Sequence, residues 1–252
     1  MTIIDGITLG IIQGITEFLP ISSSGHLVLA QEFLGIGQPG NQFEILVHMG
    51  TLASILVIFF GDIKSLSLSI KKNETQKFIY FIIIGTIPAV LLGFGLKDTI
   101  ESLFEDVHAV GIALVCTGII LFTSKYYKSV EKNISYRISF LVGIAQAMAI
   151  VPGISRSGMT ISCALFLGLS TKDSARFSFL LAIPVIFGAG LLMVFDINNG
   201  LQIEVPVAVA GLLSSFIVGL LSLKWLLSLV QAGKLHYFGF YCFCIGFITI
   251  IL

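Results

Sequence analysis

The chain has 252 residues, a formal net charge of zero at pH 7, 56% hydrophobic residues and only 11% charged residues. Together with a mean hydropathy of +1.02, this composition excludes an ordinary soluble domain of this length. We predict an all-α integral membrane protein in which residues 1–252 form a single membrane domain, and we expect no nucleic-acid partner.

Ten apolar segments follow one another along the chain. The second and seventh hold about a dozen residues each, so as helices they reach only ~15–18 Å, roughly half of the ~30 Å hydrocarbon core. We therefore predict two re-entrant helical hairpins, formed by segments one and two and by segments six and seven and broken at 20–24 and 152–157. The other six segments are predicted to be transmembrane helices. The segments are 3–19, 25–35, 42–61, 78–96, 107–123, 138–151, 158–169, 174–195, 204–229 and 236–252.

An internal repeat supports this arrangement. Each predicted repeat, 1–123 and 138–252, holds one hairpin that returns to its own side and three spans, so the second repeat must be inverted relative to the first. Inverted-topology repeats with broken helices place their sites near the membrane midplane. A shift of 133 residues superimposes Gly10 on Gly143, Gln13 on Gln146, Ser22 on Ser155, Ser24 on Ser157 and Gly25 on Gly158.

The loop charges indicate the orientation. Basic residues concentrate on one side of the predicted topology, and the positive-inside rule makes that side cytoplasmic. Both termini then face outward, loop 124–137 becomes a cytoplasmic connection between the repeats, and the two hairpin tips meet inside the membrane. The basic loops are 62–77, 124–137, 170–176 and 224–235, and the opposite loops are 35–41, 97–106 and 196–204.

Arg156 lies in the second hairpin break, between two strongly apolar segments. An arginine at membrane depth costs about 2.5–3.5 kcal/mol on insertion scales, so it is retained where it faces a polar cavity and an anionic partner. The Pro, Gly, Ser and Thr residues of 151–160 break a helix and leave backbone N–H groups free. An arginine beside free amides is predicted to bind phosphate.

Glu17 and His26 flank the first break and are both ionisable at membrane depth, with serines at 22–24 between them. Intramembrane ionisable residues are functional candidates. Structural alternatives stay open: Glu17 as a carboxylate paired with Arg156 or the backbone, His26 as a core histidine on a carbonyl, and the serines as helix N-caps. The serines of the second break carry the same ambiguity, whereas an N-cap needs no arginine.

Together, these groups favour attack on a phosphoryl group. Arginine and amides neutralise the phosphoryl oxygens, a serine or histidine attacks, and a neighbouring base activates the attacking group. Glu17 is either that base or a ligand of a divalent cation that bridges the phosphates. No Walker loop occurs, so nucleotide hydrolysis is not expected. The competing class is a polyprenyl-phosphate flippase or inverted-repeat transporter, which needs no nucleophile.

The stretches Glu17–His26 (EFLPISSSGH) and Pro152–Thr160 (PGISRSGMT) resemble the two signature motifs of the bacterial undecaprenyl-pyrophosphate phosphatase family, also called the bacitracin-resistance family. The resemblance covers essentially the whole chain. It implies a multi-pass hydrolase of the bacterial plasma (inner) membrane that converts undecaprenyl pyrophosphate to undecaprenyl phosphate for cell-wall peptidoglycan synthesis. It also implies a site that opens to the periplasmic face, interlocked inverted repeats and a homodimer.

Carried over position by position, the resemblance implies that Glu17, Ser23, His26 and Arg156 are catalytic. Ser23 attacks the terminal phosphorus and His26 or Glu17 takes its proton; in the competing version His26 attacks and forms a phosphohistidine. The substrate-binding residues that we predict around them are Ser22, Ser24, Gly25, Gly153, Ser155, Ser157, Gly158 and Thr160.

The family resemblance also implies a divalent cation, Mg or Ca, for which we predict Glu17 and Gln13 as protein ligands. Glutamine stands at position 13 where some relatives have a second glutamate, so a cation would rest on Glu17, the Gln13 oxygen, water and the phosphates. Outside the motifs, Glu44 and His48 lie one helical turn apart and are expected to support the site. Gln146 is expected to brace the second hairpin.

Overall fold

The computed structural model describes residues 1–36, 42–104, 106–127, 130–196 and 203–251, so parts of the predicted loops 35–41, 97–106, 124–137 and 196–204 lie outside the described residues. Within these ranges all regular secondary structure is helical, which confirms the predicted all-α class. The helices are α1 (Ile3–Thr16), α2 (Ser23–Leu34), α3 (Gln42–Ile58), α4 (Phe60–Leu68), α5 (Asn73–Gly95), α6 (Lys97–Phe104), α7 (Val107–Thr123), α8 (Tyr136–Met148), α9 (Arg156–Phe166), α10 (Thr171–Asp196), α11 (Val205–Gln231) and α12 (Tyr237–Ile251), with a 3₁₀ turn at Ser124–Tyr126.

Four helices of the described chain are long and apolar enough to cross a membrane: α5, α10, α11, and α7 continued through its 3₁₀ turn. Helices α3 and α4 qualify only as a pair, because they are bent by 67° relative to one another. The chain is therefore a multi-pass helical membrane protein with four or five candidate spans.

The structure differs from the predicted segments in three places. The segment 42–61 is predicted as one helix, but α3 ends at Ile58 and α4 begins at Phe60 in a different direction. Gly61 lies just beyond this break, and glycine is a common residue at helix kinks. Much of the predicted loops 62–77 and 97–106 is helical, because α5 begins at Asn73 and α6 forms at the other end of α5. Helix α12 has 15 residues, or about 22 Å at 1.5 Å per residue, so its description as a full span is not confirmed.

The two predicted hairpin breaks occur where serine side chains cap the following helices. Ser22 accepts a hydrogen bond from the Gly25 N–H at the start of α2, and Ser155 accepts one from the Gly158 N–H at the start of α9. Such caps satisfy amide groups that the first helical turn leaves unpaired. The four helices next to the breaks, α1, α2, α8 and α9, hold only 14, 12, 13 and 11 residues. None of the four is long enough to cross the ~30 Å core alone.

Small residues let the hairpins pack closely against long helices of the opposite half of the chain. Helix α1 lies along α11, where a Cβ on Gly14 would come within 2.8 Å of the Val218 Cβ. Helix α8 lies along α5, where a Cβ on Gly143 would come within 2.9 Å of the Gly85 Cα. Glycine at such contacts lets helix backbones approach closely, which is how helices associate in lipid.

Helices α7 and α12 pack along one another through two glycine pairs. Gly111 meets Gly246, and Gly118 meets Gly239, so that a Cβ on any of the four would lie about 3 Å from the partner's carbonyl oxygen. The glycines of each helix are seven residues apart, which keeps them on one face. This contact fixes α7, which in turn contacts both short helices α2 and α9.

A buried aromatic cluster lies directly after Glu17 in the chain. The ring of Phe18 meets Phe179 of α10 edge-on at 5.8 Å between centroids, and Phe59 lies 6.0 Å from Phe179. Phe18 and Phe179 are both fully buried. The end of α1 is therefore anchored between α3 and α10 by aromatic packing, which is the most area-rich contact available to a short helix.

The glycine contact between α8 and α5 gives the first prediction. Gly143→Ala places a Cβ against the Gly85 backbone, so we expect a loss of about 1–3 kcal/mol in the free energy of unfolding. Gly188→Ala on α10 is the matched control, because its Cβ would meet nothing within 4 Å. Thermal unfolding midpoints in detergent measure both variants. Equal midpoints for the two variants would contradict the close α5–α8 contact.

Candidate active site

The two hairpin tips touch one another inside the protein. The Ser22 hydroxyl accepts hydrogen bonds from the Gly25 N–H at 3.4 Å and from the Gly153 N–H of the other tip at 3.1 Å. A Cβ on Gly25 would lie only 3.0 Å from the Gly153 Cα, so the contact requires glycine at both positions. Two segments that are remote in sequence are thus joined through their breaks.

Ser22 has a backbone conformation that serine rarely adopts. Its φ of 70° lies in the left-handed region, which costs about 1–3 kcal/mol for a residue with a side chain. The surrounding contacts fix this conformation, because its hydroxyl binds the two glycine amides and its carbonyl accepts a hydrogen bond from the His26 ring at 2.8 Å. Such conformations concentrate at functional sites.

Thr117 of α7 holds the second tip. Its hydroxyl donates to the Gly153 carbonyl at 2.9 Å and accepts from the Ser155 N–H at 3.1 Å. Gly153 has a φ of 93°, which only glycine adopts without strain. Sequence analysis did not assign Thr117 a role, although a hydroxyl in the middle of an apolar segment is the signal that could have found it.

Glu17 is the centre of the site. It is 7% exposed, and its Oε1 accepts a hydrogen bond from Arg156 Nη2 at 2.5 Å. Its Oε2 accepts hydrogen bonds from the Ser23 hydroxyl at 2.6 Å and from the Gln13 amide at 3.0 Å. Ser23 and Arg156 are the first residues of α2 and α9 and are related by the 133-residue shift, so equivalent positions of the two tips converge on one carboxylate.

His48 is the imidazole beside this carboxylate. Its Nε2 lies 3.4 Å from Glu17 Oε2, and its Nδ1 lies 2.7 Å from the backbone carbonyl of Glu44. The Glu44 side chain accepts a hydrogen bond from Gln31 of α2 at 3.3 Å. His48 therefore contacts Glu17 directly, and the Glu44 carbonyl binds the His48 ring. The sequence predicts only a supporting role for these two residues.

His26 faces away from Glu17. Its Nδ1 lies 2.8 Å from the Ser22 carbonyl, its Nε2 lies 2.8 Å from the Tyr241 hydroxyl, and its ring stacks on Tyr241 of α12. Both ring nitrogens are therefore engaged, and His26 does not line the cavity described below. Arg156, Glu17 and Ser23 lie together as the sequence predicts. His26, which the sequence places with them, instead contacts Tyr241 of α12 and lies outside the cavity.

A cavity of about 320 Å³ adjoins Glu17. Its polar side is formed by both tips and α3, and its apolar side by α5, the end of α8 and α10. The polar lining residues are Thr16, Glu17, Ser22, Ser23, Ser24, Glu44, His48, Gln146, Ser155 and Arg156, and the apolar ones are Ile45, Ala89, Phe104, Ala149, Ile150, Ile154, Ala182, Val185, Ile186 and Ala189.

Of the predicted substrate-binding residues, Ser22, Ser24 and Ser155 line this cavity. The remaining five do not line it, and their contacts are structural. Gly25 and Gly153 form the tip contact, the Gly158 amide is used by the Ser155 hydroxyl, and Ser157 pairs with Ser155. Thr160 donates to the Arg156 carbonyl at 2.7 Å and pairs with Ser178.

Arg156 retains binding capacity toward the cavity. Its Nη1 is buried and has no hydrogen-bond partner within the described part of the chain, while Nη2 is held by Glu17. A guanidinium presents a rigid fork of donors that matches phosphate oxygens. Among the described residues the second fork position of Arg156 is therefore unpaired, and Arg156 lines the cavity.

The predicted cation ligands do not fit a resident metal ion. Gln13 is fully buried and does not line the cavity. It turns its amide N–H toward Glu17, and its Oε1 has no hydrogen-bond partner within the described residues, while both Glu17 oxygens already accept hydrogen bonds from protein groups. Among the described residues, no three His, Cys, Asp or Glu side chains come together with metal-binding geometry. Mg²⁺ and Ca²⁺ require several oxygen ligands around an open position, which this pair does not offer.

In this multi-pass helical membrane protein, a guanidinium, a carboxylate and a hydroxyl lie at the polar end of a cavity whose other walls are apolar. The family profile described as "Bacitracin resistance protein BacA" matches residues 6–248. The chain belongs to this family.

Curated relatives match over the full length of the chain. An undecaprenyl-diphosphatase of Methanosphaera stadtmanae is 42% identical over 273 residues, covering 100% of this chain and 98% of the relative. One of Halothermothrix orenii is 42% identical over 257 residues, with the same coverage. One of Korarchaeum cryptofilum is 41% identical over 258 residues, covering 98% of this chain and 97% of the relative.

The buried ion pair gives the second prediction. Arg156→Ala leaves Glu17 buried without its cationic partner, so we expect the free energy of unfolding to fall by about 3–5 kcal/mol. Combining Arg156→Ala with Glu17→Gln removes both charges and should restore much of that loss. Thermal unfolding in detergent measures these variants.

The control for this comparison is Arg176→Ala, whose ion pair with Asp62 has side chains that are 30% and 35% exposed. Its loss should be about 1 kcal/mol or less. If the double variant is as unstable as Arg156→Ala alone, the loss of stability does not come from an unpaired charge on Glu17, and the prediction is wrong.

Proposed function

We propose that the cavity beside Glu17 is the active site at which this enzyme hydrolyses undecaprenyl pyrophosphate to undecaprenyl phosphate and inorganic phosphate, which recycles the lipid carrier for peptidoglycan synthesis. Family membership and the full-length undecaprenyl-diphosphatase relatives support the reaction. The observation that carries the assignment to this cavity is the convergence of Arg156, Glu17 and Ser23.

The cavity has the chemical polarity of this substrate. Its cationic end offers the free fork position of Arg156 to the pyrophosphate, and its other walls are small and aliphatic side chains of α5 and α10, such as Ala89 and Val185. An apolar wall with a few convergent polar groups is typical of small-molecule sites. We assign the aliphatic walls to the first isoprenoid units of the lipid.

The geometry supports Ser23 as the nucleophile. Its hydroxyl donates to Glu17 Oε2 at 2.6 Å, so Glu17 takes the proton as the Ser23 oxygen bonds to the terminal phosphorus. The bond from that phosphorus to the bridging oxygen breaks, and undecaprenyl phosphate leaves with the electron pair. The departing undecaprenyl phosphate takes up the proton held by Glu17, which restores the carboxylate. Water then attacks the phosphoserine phosphorus while Glu17 accepts a proton from that water. The bond from phosphorus to the Ser23 oxygen breaks, the Ser23 oxygen takes that proton from Glu17, and inorganic phosphate leaves.

Arg156 binds the pyrophosphate in both steps. Its Nη2 holds Glu17 in place, and we assign its unpaired Nη1 to the charge that develops on the transferred phosphoryl group. Preorganised donors at such charges account for large parts of phosphoryl-transfer rates. A carrier or flippase needs no nucleophile paired with a base, so the Ser23–Glu17 contact favours hydrolysis over transport.

His26 serves the first tip rather than the phosphorus. Because its two ring nitrogens bind the Ser22 carbonyl and Tyr241, it fixes the strained residue that precedes Ser23. We therefore assign His26 to positioning the nucleophile and not to forming a phosphohistidine.

A divalent cation, Mg²⁺ or Ca²⁺, stays a prediction. Because Gln13 and Glu17 do not offer a resident site, we assign its binding to the phosphate oxygens of the substrate, where it would supply charge neutralisation.

We further propose six transmembrane helices and two re-entrant hairpins in two inverted repeats, 1–123 and 138–252. Three observations support it. Each hairpin packs on a long helix of the other repeat, α1 on α11 and α8 on α5. Helices α7 and α12, the last helix of each repeat, pack along one another through two glycine pairs. The hydroxyl pairs next to the two caps, Ser22 with Ser24 and Ser155 with Ser157, both lie 3.3 Å apart.

We place this protein in the bacterial plasma membrane with the cavity open to the outer face. The cavity is lined by Phe104 of α6, which lies on the side opposite the basic loops, and not by residues of those loops.

The resemblance to the family also leads us to propose a homodimer.

The third prediction concerns the nucleophile. Ser23→Ala should lower kcat for phosphate release from a prenyl pyrophosphate in detergent by about 10³-fold or more. Ser67→Ala is the control, because this exposed hydroxyl of α4 lies outside the cavity and donates to the Ile63 carbonyl. Trapping with a ³²P-labelled substrate should yield an acid-stable phosphoserine. An acid-labile phospho-enzyme in wild type, together with active Ser23→Ala, would instead support His26.

The fourth prediction concerns orientation. Ser102→Cys on α6 and Lys71→Cys between α4 and α5 are exposed positions on opposite sides of the proposed topology. In a variant without the four natural cysteines, a membrane-impermeant maleimide added to intact cells should label position 102 only. Labelling of position 71 alone would reverse the orientation.

A further inference from the structure

We propose that His48, and not His26, is the imidazole that serves the Ser23–Glu17 pair: the Nε2–H of His48 holds Glu17 Oε2 in the orientation that accepts the Ser23 proton. This proposal rests on hydrolysis at Ser23 as set out above and adds a positioning residue to it. His48 lies on α3, outside both signature motifs, and lines the same cavity.

The contacts of His48 determine which ring atoms carry hydrogen. Nδ1 lies 2.7 Å from the backbone carbonyl of Glu44, and since a carbonyl oxygen only accepts, Nδ1 is a donor. Nε2 lies 3.4 Å from Glu17 Oε2. A neutral ring would turn the lone pair of Nε2 toward that carboxylate, which is repulsive, so the favourable arrangement has N–H groups at both positions.

The charged groups around His48 are balanced. Glu17 faces it from the residue after α1, while Glu44 of its own helix and Arg156 of α9 line the same cavity. Two carboxylates and two cations therefore surround one cavity, with Glu17 buried and the other three partly buried. An unpaired charge in such a region is costly, whereas a hydrogen-bonded set in which each charge has a partner is retained.

The role of His48 follows from how the Glu17 oxygens are shared. Oε1 binds Arg156, and Oε2 faces Ser23, Gln13 and His48. Arginine and carboxylate groups favour a bidentate pair, in which both oxygens turn to the guanidinium. The N–H groups around Oε2 oppose that rotation. Without His48, Glu17 turns toward Arg156, and the 2.6 Å contact with Ser23 lengthens.

The experiment compares His48→Ala and His48→Gln by kcat and KM for phosphate release from a prenyl pyrophosphate in detergent. A displacement of about 1 Å at a reacting group costs about 10²-fold, so His48→Ala should lower kcat by about that factor and change KM by less than about threefold. The glutamine side chain can place an N–H where Nε2 stands. His48→Gln should therefore stay within about fivefold of the wild-type kcat.

Two further variants keep the result interpretable. His108→Gln changes an exposed histidine at the start of α7 and should leave both constants unchanged. His48→Asn keeps a polar side chain that is too short to reach Glu17, so it replaces His48→Ala if that variant does not fold, and it should show the same loss of kcat. Elution volume and unfolding midpoint in detergent report folding.

Two results would overturn the role of His48. One is a raised KM with unchanged kcat in His48→Ala, which would make it a substrate-binding group. The other is a His48→Gln enzyme as slow as His48→Ala, which would show that donation to Glu17 is not its function. Wild-type protein that releases no phosphate at all would refute the proposed hydrolysis itself, a different outcome from either.

Discussion

The whole site depends on one ion pair that is buried inside the membrane domain. Arg156 and Glu17 lie 2.5 Å apart and come from the two different hairpin tips. Charges in this environment are tolerated only with close partners and additional hydrogen bonds, which Ser23 and Gln13 supply here. The tips must therefore meet at one depth, and the glycine contacts of α1 with α11 and of α8 with α5 hold them there.

The two tips are alike in backbone and different in chemistry. Both use a serine to cap the next helix, and both have a glycine at the contact. Yet the first residue of the following helix is a hydroxyl donor in one tip, Ser23, and a cation in the other, Arg156. Because each is aimed at Glu17, the carboxylate has a proton donor on one oxygen and a guanidinium on the other. Two tips with similar backbones thereby present different chemistry to one carboxylate.

Much of this could be read from the sequence, because polar residues at membrane depth are costly and must find one another. That reasoning placed Arg156 with Glu17, His26 and the serines at 22–24, and it located both breaks, with serines as caps. The family resemblance then singled out Ser23 among these serines. The sequence could not show that His48, and not His26, contacts Glu17, because the position of a histidine in a motif does not reveal where its ring points. The residue that binds the His26 ring, Tyr241, lies 215 residues away in the sequence. The bend between α3 and α4 was also missed, because hydropathy is continuous across Phe59.

The sequence separation of 139 residues from Glu17 to Arg156 also bears on biosynthesis. At about 5–20 residues per second, a ribosome needs roughly 7–28 s to extend the chain from one to the other. During that interval the first hairpin has neither its guanidinium partner nor α11, against which α1 packs. An isolated carboxylate is unfavourable in hydrocarbon, so the nascent N-terminal segment stays at the water interface. The helix that precedes Glu17 is thus synthesised before both of its partners and docks only after them.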